Sequence, residues 1–384
     1  MKNTLTTILI LITFAGFSRT VYIDPTNTAT YQNGTIEAPY DSWSDFAITS
    51  GNVYLQKRNT TYTSSNQIFL NQKNGVIIGA YGKGIRPKFI YMGTGYAIRI
   101  ENSDYCTISN FEVNGNGNAH SLIAVIGTRY QFGITIEYCA LHNAHGANNA
   151  GFGVYASYTN GLSIYQTTIR NVALDGLYLA NCINCDIGYS TVNDMNKRYF
   201  LNHDQKISSG DGIQFDGNYN GFHLHHTVVA RRNMAGNKFG VIFNSAPGTA
   251  DNATGIIEFC EFQTDANVSC AVHIERGNHI IVRYNTFLGS TDGLRIAGRF
   301  SNNTQIYSNS FIGCDRGIGV GSTWISGVPY PATGTNIYDN HFTNTGRFQI
   351  WIDRTKIGVC NNTSDGKGVP IFNYGGGSWQ TNCN

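Results

Sequence analysis

The chain has 384 residues, 41% hydrophobic and only 13% charged, and its 26 Lys+Arg against 24 Asp+Glu leave a formal net charge of +2. That balance excludes a polybasic nucleic-acid binder and an acidic disordered segment. The polar surface must come instead from Asn, Ser, Thr, Gly and 23 Tyr, the composition of a β-rich extracellular protein, often one that handles sugars.

In chain order, the N-terminus reads as a secretory signal over residues 1–20. Lys2 supplies the positive region, Leu5 to Phe17 is mostly apolar, and Gly16 and Ser18 offer a cleavage zone near residues 16–20. The apolar run falls short of the ~20 residues that a membrane span needs. The mature chain, 21–384, is then expected outside the cytoplasm, extracellular or periplasmic, as a monomer with no membrane or nucleic-acid partner. Residues 21–95 are predicted to form an N-terminal cap and first coil, and 366–384 a C-terminal closure.

Between these lies a repeat. The pattern apolar-x-x-(Asn/Thr/Cys/Ser)-x-apolar starts at Ile108, Ile136, Ile164, Ile187, Leu224, Ile257, Val282, Ile306, Ile337 and Val359, with gaps of 22–37 residues. A second pattern, a small residue followed by alternating apolar positions, starts at Gly153, Gly176, Gly212, Gly240, Ala271, Gly293 and Gly317. Period-two alternation marks strands with one buried face. Units this short cannot bury that face alone, and stacking neighbours does so. The fold class is therefore all-β, a right-handed parallel β-helix of about ten coils with capped ends. Asn285, Asn309, Asn340 and Asn362 fall at one equivalent position, as a ladder of stacked amides requires; Cys139, Thr167, Ser190, Thr227 and Cys260 fill the same column earlier. A β-propeller would need four antiparallel strands in ~40 residues, and the units are too short and uneven for that.

Nine cysteines in an exported chain suggest that some pair, with the odd count leaving at least one over. Cys182-Ile183-Asn184-Cys185 lacks a second such pair, so it is read as disulfide or buried thiols rather than a metal or redox motif. His223, His225 and His226 are read as a packed or surface cluster, because His225 and His226 point to opposite faces of a strand and the three cannot easily share one metal.

The opening Ile23-Asp24-Pro25, Gly34-Thr35-Ile36-Glu37-Ala38-Pro39-Tyr40 and Gly51-Asn52-Val53-Tyr54-Leu55 resembles that of secreted β-helix polysaccharide lyases. The coil spacing is similar to that of alginate and chondroitin lyases of polysaccharide lyase families six and thirty-one. Ser208 to Asp216, followed by Gly236-Asn237-Lys238-Phe239-Gly240, resembles family thirty-one most. The resemblance implies eliminative cleavage of an acidic polysaccharide, alginate above all.

Equivalent outward side chains of a parallel β-helix form columns with a step of ~4.8 Å, close to the length of one sugar. One predicted column is Tyr155, Tyr178, Gln214, Ile242, His273 and Arg295; the next is Ser157, Ala180, Asp216, Asn244, Glu275 and Ala297. Asp175, Asp211, Lys238, Asp292 and Arg316 come just before the strands. The longest unit carries a loop from Asn193 to Lys206, and Lys197, Arg198, Lys206, Arg231, Arg232 and Lys238 give this region a cationic excess suited to a polyuronate.

Elimination needs a neutralised C6 carboxylate, a base for the C5 proton and an acid for the departing O4. By position and by the resemblance Lys238 is the expected base, with Lys206 second; Tyr178 or Tyr199 is the expected acid. Tyr155, Gln214, Asp216, Arg231, Asn244, His273, Glu275 and Arg295 are the expected substrate contacts. No metal and no cofactor is assigned. Family six uses calcium beside a Lys base, and Asp211 and Asp216 offer oxygens here, but the acidic pair expected on one strand is missing. Two alternatives remain: a hydrolase using Asp216 and Glu275, two coils apart, or a polysaccharide-binding solenoid without catalysis.

Overall fold

The structure, a computed structural model, describes residues 18–146, 151–195, 200–201, 207–208, 210–231, 239–244, 253–264, 268–325 and 328–381. Among them no helix is long and apolar enough to cross a membrane. The strands form a right-handed parallel β-helix with two continuous ribbons, a 14-stranded sheet and a 24-stranded sheet that carries two strands per coil. All ten residues that open the first repeat pattern lie within strands of the 14-stranded sheet, paired parallel and in register from Ile78 and Ile108 to Val359.

The same sheet extends in both directions. Thr20–Ile23, Val53–Lys57 and Ile77–Tyr81 precede the repeat, and Ser378–Gln380 follows it. The N-terminal end is plugged by rings: Phe46 stacks on Tyr40 and Tyr54 at 5.0 and 5.4 Å, and Trp43 packs edge-on to Phe111. Trp43 keeps its indole N–H satisfied by donating to Gln56 at 2.8 Å.

The interior follows from the alternation. Fully buried side chains stack by type: Phe262, Phe287, Phe311 and Phe342 form one ring column with steps of 5.0, 4.5 and 5.1 Å. Beside it runs the amide ladder. Asn285 Nδ2 donates to Asn309 Oδ1, Asn309 to Asn340 and Asn340 to Asn362, each at 3.0 Å, while the second N–H of each amide reaches a backbone carbonyl. Earlier coils satisfy the same turn with hydroxyls, as where Thr167 N donates to Ser190 Oγ at 3.2 Å. A buried amide without these partners would cost ~1–3 kcal/mol, so the column must be continuous.

The small residue opening the second pattern also has a steric cause. A Cβ on Gly153, Gly176, Gly212 or Gly240 would lie 2.5, 2.7, 2.3 and 2.5 Å from the carbonyl oxygen of the next coil. The backbones pass too closely there for most side chains.

Pairing of the cysteines is corrected in part. Cys106, Cys139, Cys182, Cys185, Cys260, Cys270 and Cys314 are buried free thiols. They occupy interior positions where the sulfur meets backbone carbonyls, as Cys139 Sγ does at Glu137 O, 3.2 Å away. Burial pushes Cys139 and Cys260 up to about 12. Cys383 and residues 1–17 of the expected signal segment 1–20 lie outside the described residues.

Candidate active site

The outward columns fall in register as the alternation dictates. Tyr155 pairs with Tyr178, Tyr178 with Gln214, Gln214 with Ile242, Ile242 with His273 and His273 with Arg295. Alongside, Ser157, Ala180 and Asp216 are in register, and Asn244 and Glu275 continue the row two residues beyond Ile242 and His273. The expected base Lys238, its substitute Lys206, the second acid Tyr199 and the side chain of Arg231 lie outside the described residues, as does most of the loop 193–206.

At one end of the trough Tyr155 and Tyr178 stack with ring centroids 5.2 Å apart. The Tyr178 hydroxyl donates to Asp216 Oδ2 at 2.9 Å. Burial, together with this carboxylate, pushes the Tyr178 phenol far above its ordinary value. Its proton is thus held throughout the neutral range.

At the other end His273 is 4% exposed, covered by the Phe239 ring at 4.6 Å. His273 Nε2 lies 3.3 Å from Glu275 Oε1, yet neither ring nitrogen completes a hydrogen bond, and neither does Arg295 Nε. The neighbouring His273 holds Glu275 below the usual carboxylate range against the opposing effect of burial. Asp292 is buried beside Arg316, whose Nη2 donates to it at 2.9 Å; burial nonetheless keeps that carboxyl above its ordinary value.

Tyr178 and His273 are three strands apart, ~14 Å by the spacing of paired strands. Gln214 and Ile242 lie between them in register. Asp175 and Asp211, just before the strands, have a structural task. Both are buried, and their carboxylates accept backbone N–H groups of the following coils, Asp211 N at 2.5 Å and Phe239 N at 2.9 Å. They fasten the starts of successive strands.

Several residues lengthen the trough beyond the sequence-based set. Tyr96, His120 and Phe152 continue the aromatic end, with centroids 5.1 Å (Tyr96 to His120), 5.5 Å (His120 to Phe152) and 5.7 Å (Phe152 to Tyr178) apart. Trp351 continues the column after Arg295 and Gly319, and the Arg316 guanidinium sits 5.7 Å over its ring. A sequence signal existed for Trp351: Gly319 and Gly321 leave the space it covers, since a Cβ on either would be 3.2–3.3 Å from the indole. An open concavity away from these columns is lined by Gln72, Asn74, Asn102, Thr128 and Arg129.

No family model matches the chain, and no curated protein matches it. Solved structures do. The A-module of mannuronan C-5 epimerase AlgE6 from Azotobacter vinelandii superposes with a TM-score of 0.63 at 14% identity, covering 85% of this chain and 88% of that one. The A-module of AlgE4 from the same organism gives 0.56 at 13% identity, with 85% and 90% covered. The GH136 lacto-N-biosidase from Eubacterium ramulus gives 0.52 at 12% identity, with 93% and 68% covered. At such identities the likeness is one of fold.

Proposed function

We propose that the protein is a polysaccharide lyase that cleaves a uronate-containing polymer, alginate first among them, by β-elimination in the trough. The observation that carries this reading is the pairing of a proton-holding phenol, Tyr178 on Asp216, with a facing end where His273 and Arg295 Nε keep hydrogen-bonding capacity unmet. Buried polar atoms left without partners are costly, and in this reading a sugar carboxylate that displaces the covering Phe239 ring partners them.

In this reading the reacting uronate lies over Gln214 and Ile242. Gln214, one strand step from Tyr178, draws on the C6 carboxylate and acidifies the C5 proton, while His273 and Arg295, three and four steps from Tyr178, hold the carboxylate of a neighbouring sugar. Lys238 directly precedes Phe239, whose ring packs on His273, and takes that proton as base; Lys206 is the second choice. As the C4–O4 bond breaks, Tyr178 gives its proton to the departing O4, and Asp216 orients the phenol. Tyr155, Asn244, Glu275 and Arg231 contact neighbouring sugars. Two of the superposed modules act on mannuronan, and epimerisation at C5 starts with the same proton abstraction. The apolar segment Leu5 to Phe17 supports export to where such a polymer occurs.

The test is incubation with alginate, polygalacturonate and chondroitin, following the ultraviolet absorbance of the unsaturated uronate. Elimination predicts its appearance with each cut. New reducing ends without absorbance would make the protein a hydrolase, for which Asp216 and Glu275 are spaced suitably at two strand steps, ~9.6 Å. The depressed carboxyl of Glu275 counts against it as the required acid. Altered C5 configuration without cleavage would make it an epimerase.

A further inference from the structure

On the 14-stranded sheet, away from the trough, three side chains from two coils converge. His223 and His225 alternate on Phe222–His225 and so share a face; Asp186 opens the strand of the preceding coil and is in register with His223. Asp186 Oδ1 lies 3.3 Å from His223 Nδ1 and 3.2 Å from His225 Nε2. One oxygen thus faces two imidazole nitrogens, is itself shielded from solvent, and makes a hydrogen bond to neither. All three atoms lie within 4.8 Å of one another.

These separations are those of a coordination polyhedron. Tetrahedral zinc with bonds of ~2.0–2.1 Å has ligand-to-ligand edges of ~3.3 Å. The opposite nitrogens are already occupied. His223 Nε2 meets Glu258 Oε1 at 3.0 Å, and Arg283 Nε donates to the other oxygen of that carboxylate at 2.7 Å. His225 Nδ1 meets His226 Nδ1 at 3.0 Å. Histidines that bind metal through one nitrogen are ordinarily anchored through the other in this way. Space for the His225 ring depends on Gly188 beneath it, where a Cβ would lie 2.4 Å from Cε1 and Nε2.

We propose that Asp186, His223 and His225 form a binding site for a divalent transition metal of the zinc type, three protein ligands bridging two coils with the fourth position open to solvent. His226 stands outside the set, its ring at 88° to that of His225. The three histidines do not share a metal, as their alternation implies, but two of them do so with an aspartate from one unit earlier. The site owes nothing to the trough or to Lys238.

The experiment uses the full chain without a polyhistidine tag, stripped with chelator and titrated with zinc by calorimetry, and separately with cobalt(II) read by its ligand-field absorption. One ion per chain, tetrahedral cobalt bands and a rise in melting temperature with zinc are expected. Asp186→Asn and His223→Ala should each abolish the bands, and Glu258→Gln should weaken zinc binding by ~10–100-fold. Asp186 and His223 are part-exposed, and melting without metal checks that each variant is folded. Should His223→Ala fail to fold, the near-isosteric Asp186→Asn decides. Wild-type binding no tighter than that of Asp186→Asn, or cobalt bands that survive it, would overturn the proposal.

Discussion

The phenol of Tyr178 donates to the carboxylate of Asp216 across one strand step, at 2.9 Å. Replacing Asp216 by Asn removes the charge that opposes ionisation, so the Tyr178 phenol should titrate at lower pH than in the native chain. Ultraviolet difference titration of Asp216→Asn against the native protein and Tyr178→Phe checks it; an unchanged curve would separate the two groups.

For Tyr178→Phe, loss of the acid should lower kcat on the cleaved polymer by ~10²-fold or more while KM moves little, because the stacked ring on Tyr155 is kept. Circular dichroism should report an unchanged β-helix. A variant with native kcat would remove Tyr178 from the reaction.

Asn309→Leu breaks the amide ladder at its centre. It deprives the Asn285 amide of its acceptor and takes from Asn340 Oδ1 its side-chain donor, leaving that oxygen only the backbone N–H of residue 309. A loss of ~2 kcal/mol or more is expected, read as a lower denaturant midpoint. Gly212→Ala should cost ~1–3 kcal/mol for a separate reason, the overpacking of a Cβ against the Gly240 carbonyl.

Acid sensitivity should come from carboxylates held low in the native state. Arg129 keeps Asp104 below the usual range. For Glu112, burial pushes the carboxyl up, but Lys88 and His142 more than reverse it. A depressed native value contributes stability that is fully present above the unfolded value and is lost as pH falls through the native one. Stability should thus decline on acidification through and below the carboxylate range, and Asp104→Asn with Glu112→Gln should flatten that decline in melts run across pH.

The seven buried thiols should resist a thiol reagent in the folded protein and react on unfolding. Fast labelling of Cys139 or Cys260 under native conditions, followed by peptide mass analysis, would contradict their burial.

Much of the fold was legible because parallel, in-register pairing converts a period-two pattern into columns. The order Tyr155, Tyr178, Gln214, Ile242, His273, Arg295 could be written down before any coordinate was known, and so could the amide ladder. What the pattern hides is depth and lateral neighbours. His273 reads as an outward residue, yet Phe239, arriving from the preceding coil, covers it. Asp175 and Asp211 read as groove carboxylates, yet backbone N–H groups engage them. Asp186 stands 37 residues before His223 and faces it only because one long unit returns to the same register.

That long unit has a consequence for how the molecule can be altered. The excursion between Thr191–Met195 and Ile213–Asp216, which includes the small antiparallel pair Phe200–Leu201 and Ile207–Ser208, leaves the Tyr178 to Gln214 pairing undisturbed. The winding works as a ruler whose graduations do not depend on how much chain is spent between them. Grafting a shorter or longer segment at this point would leave every other mark at its distance.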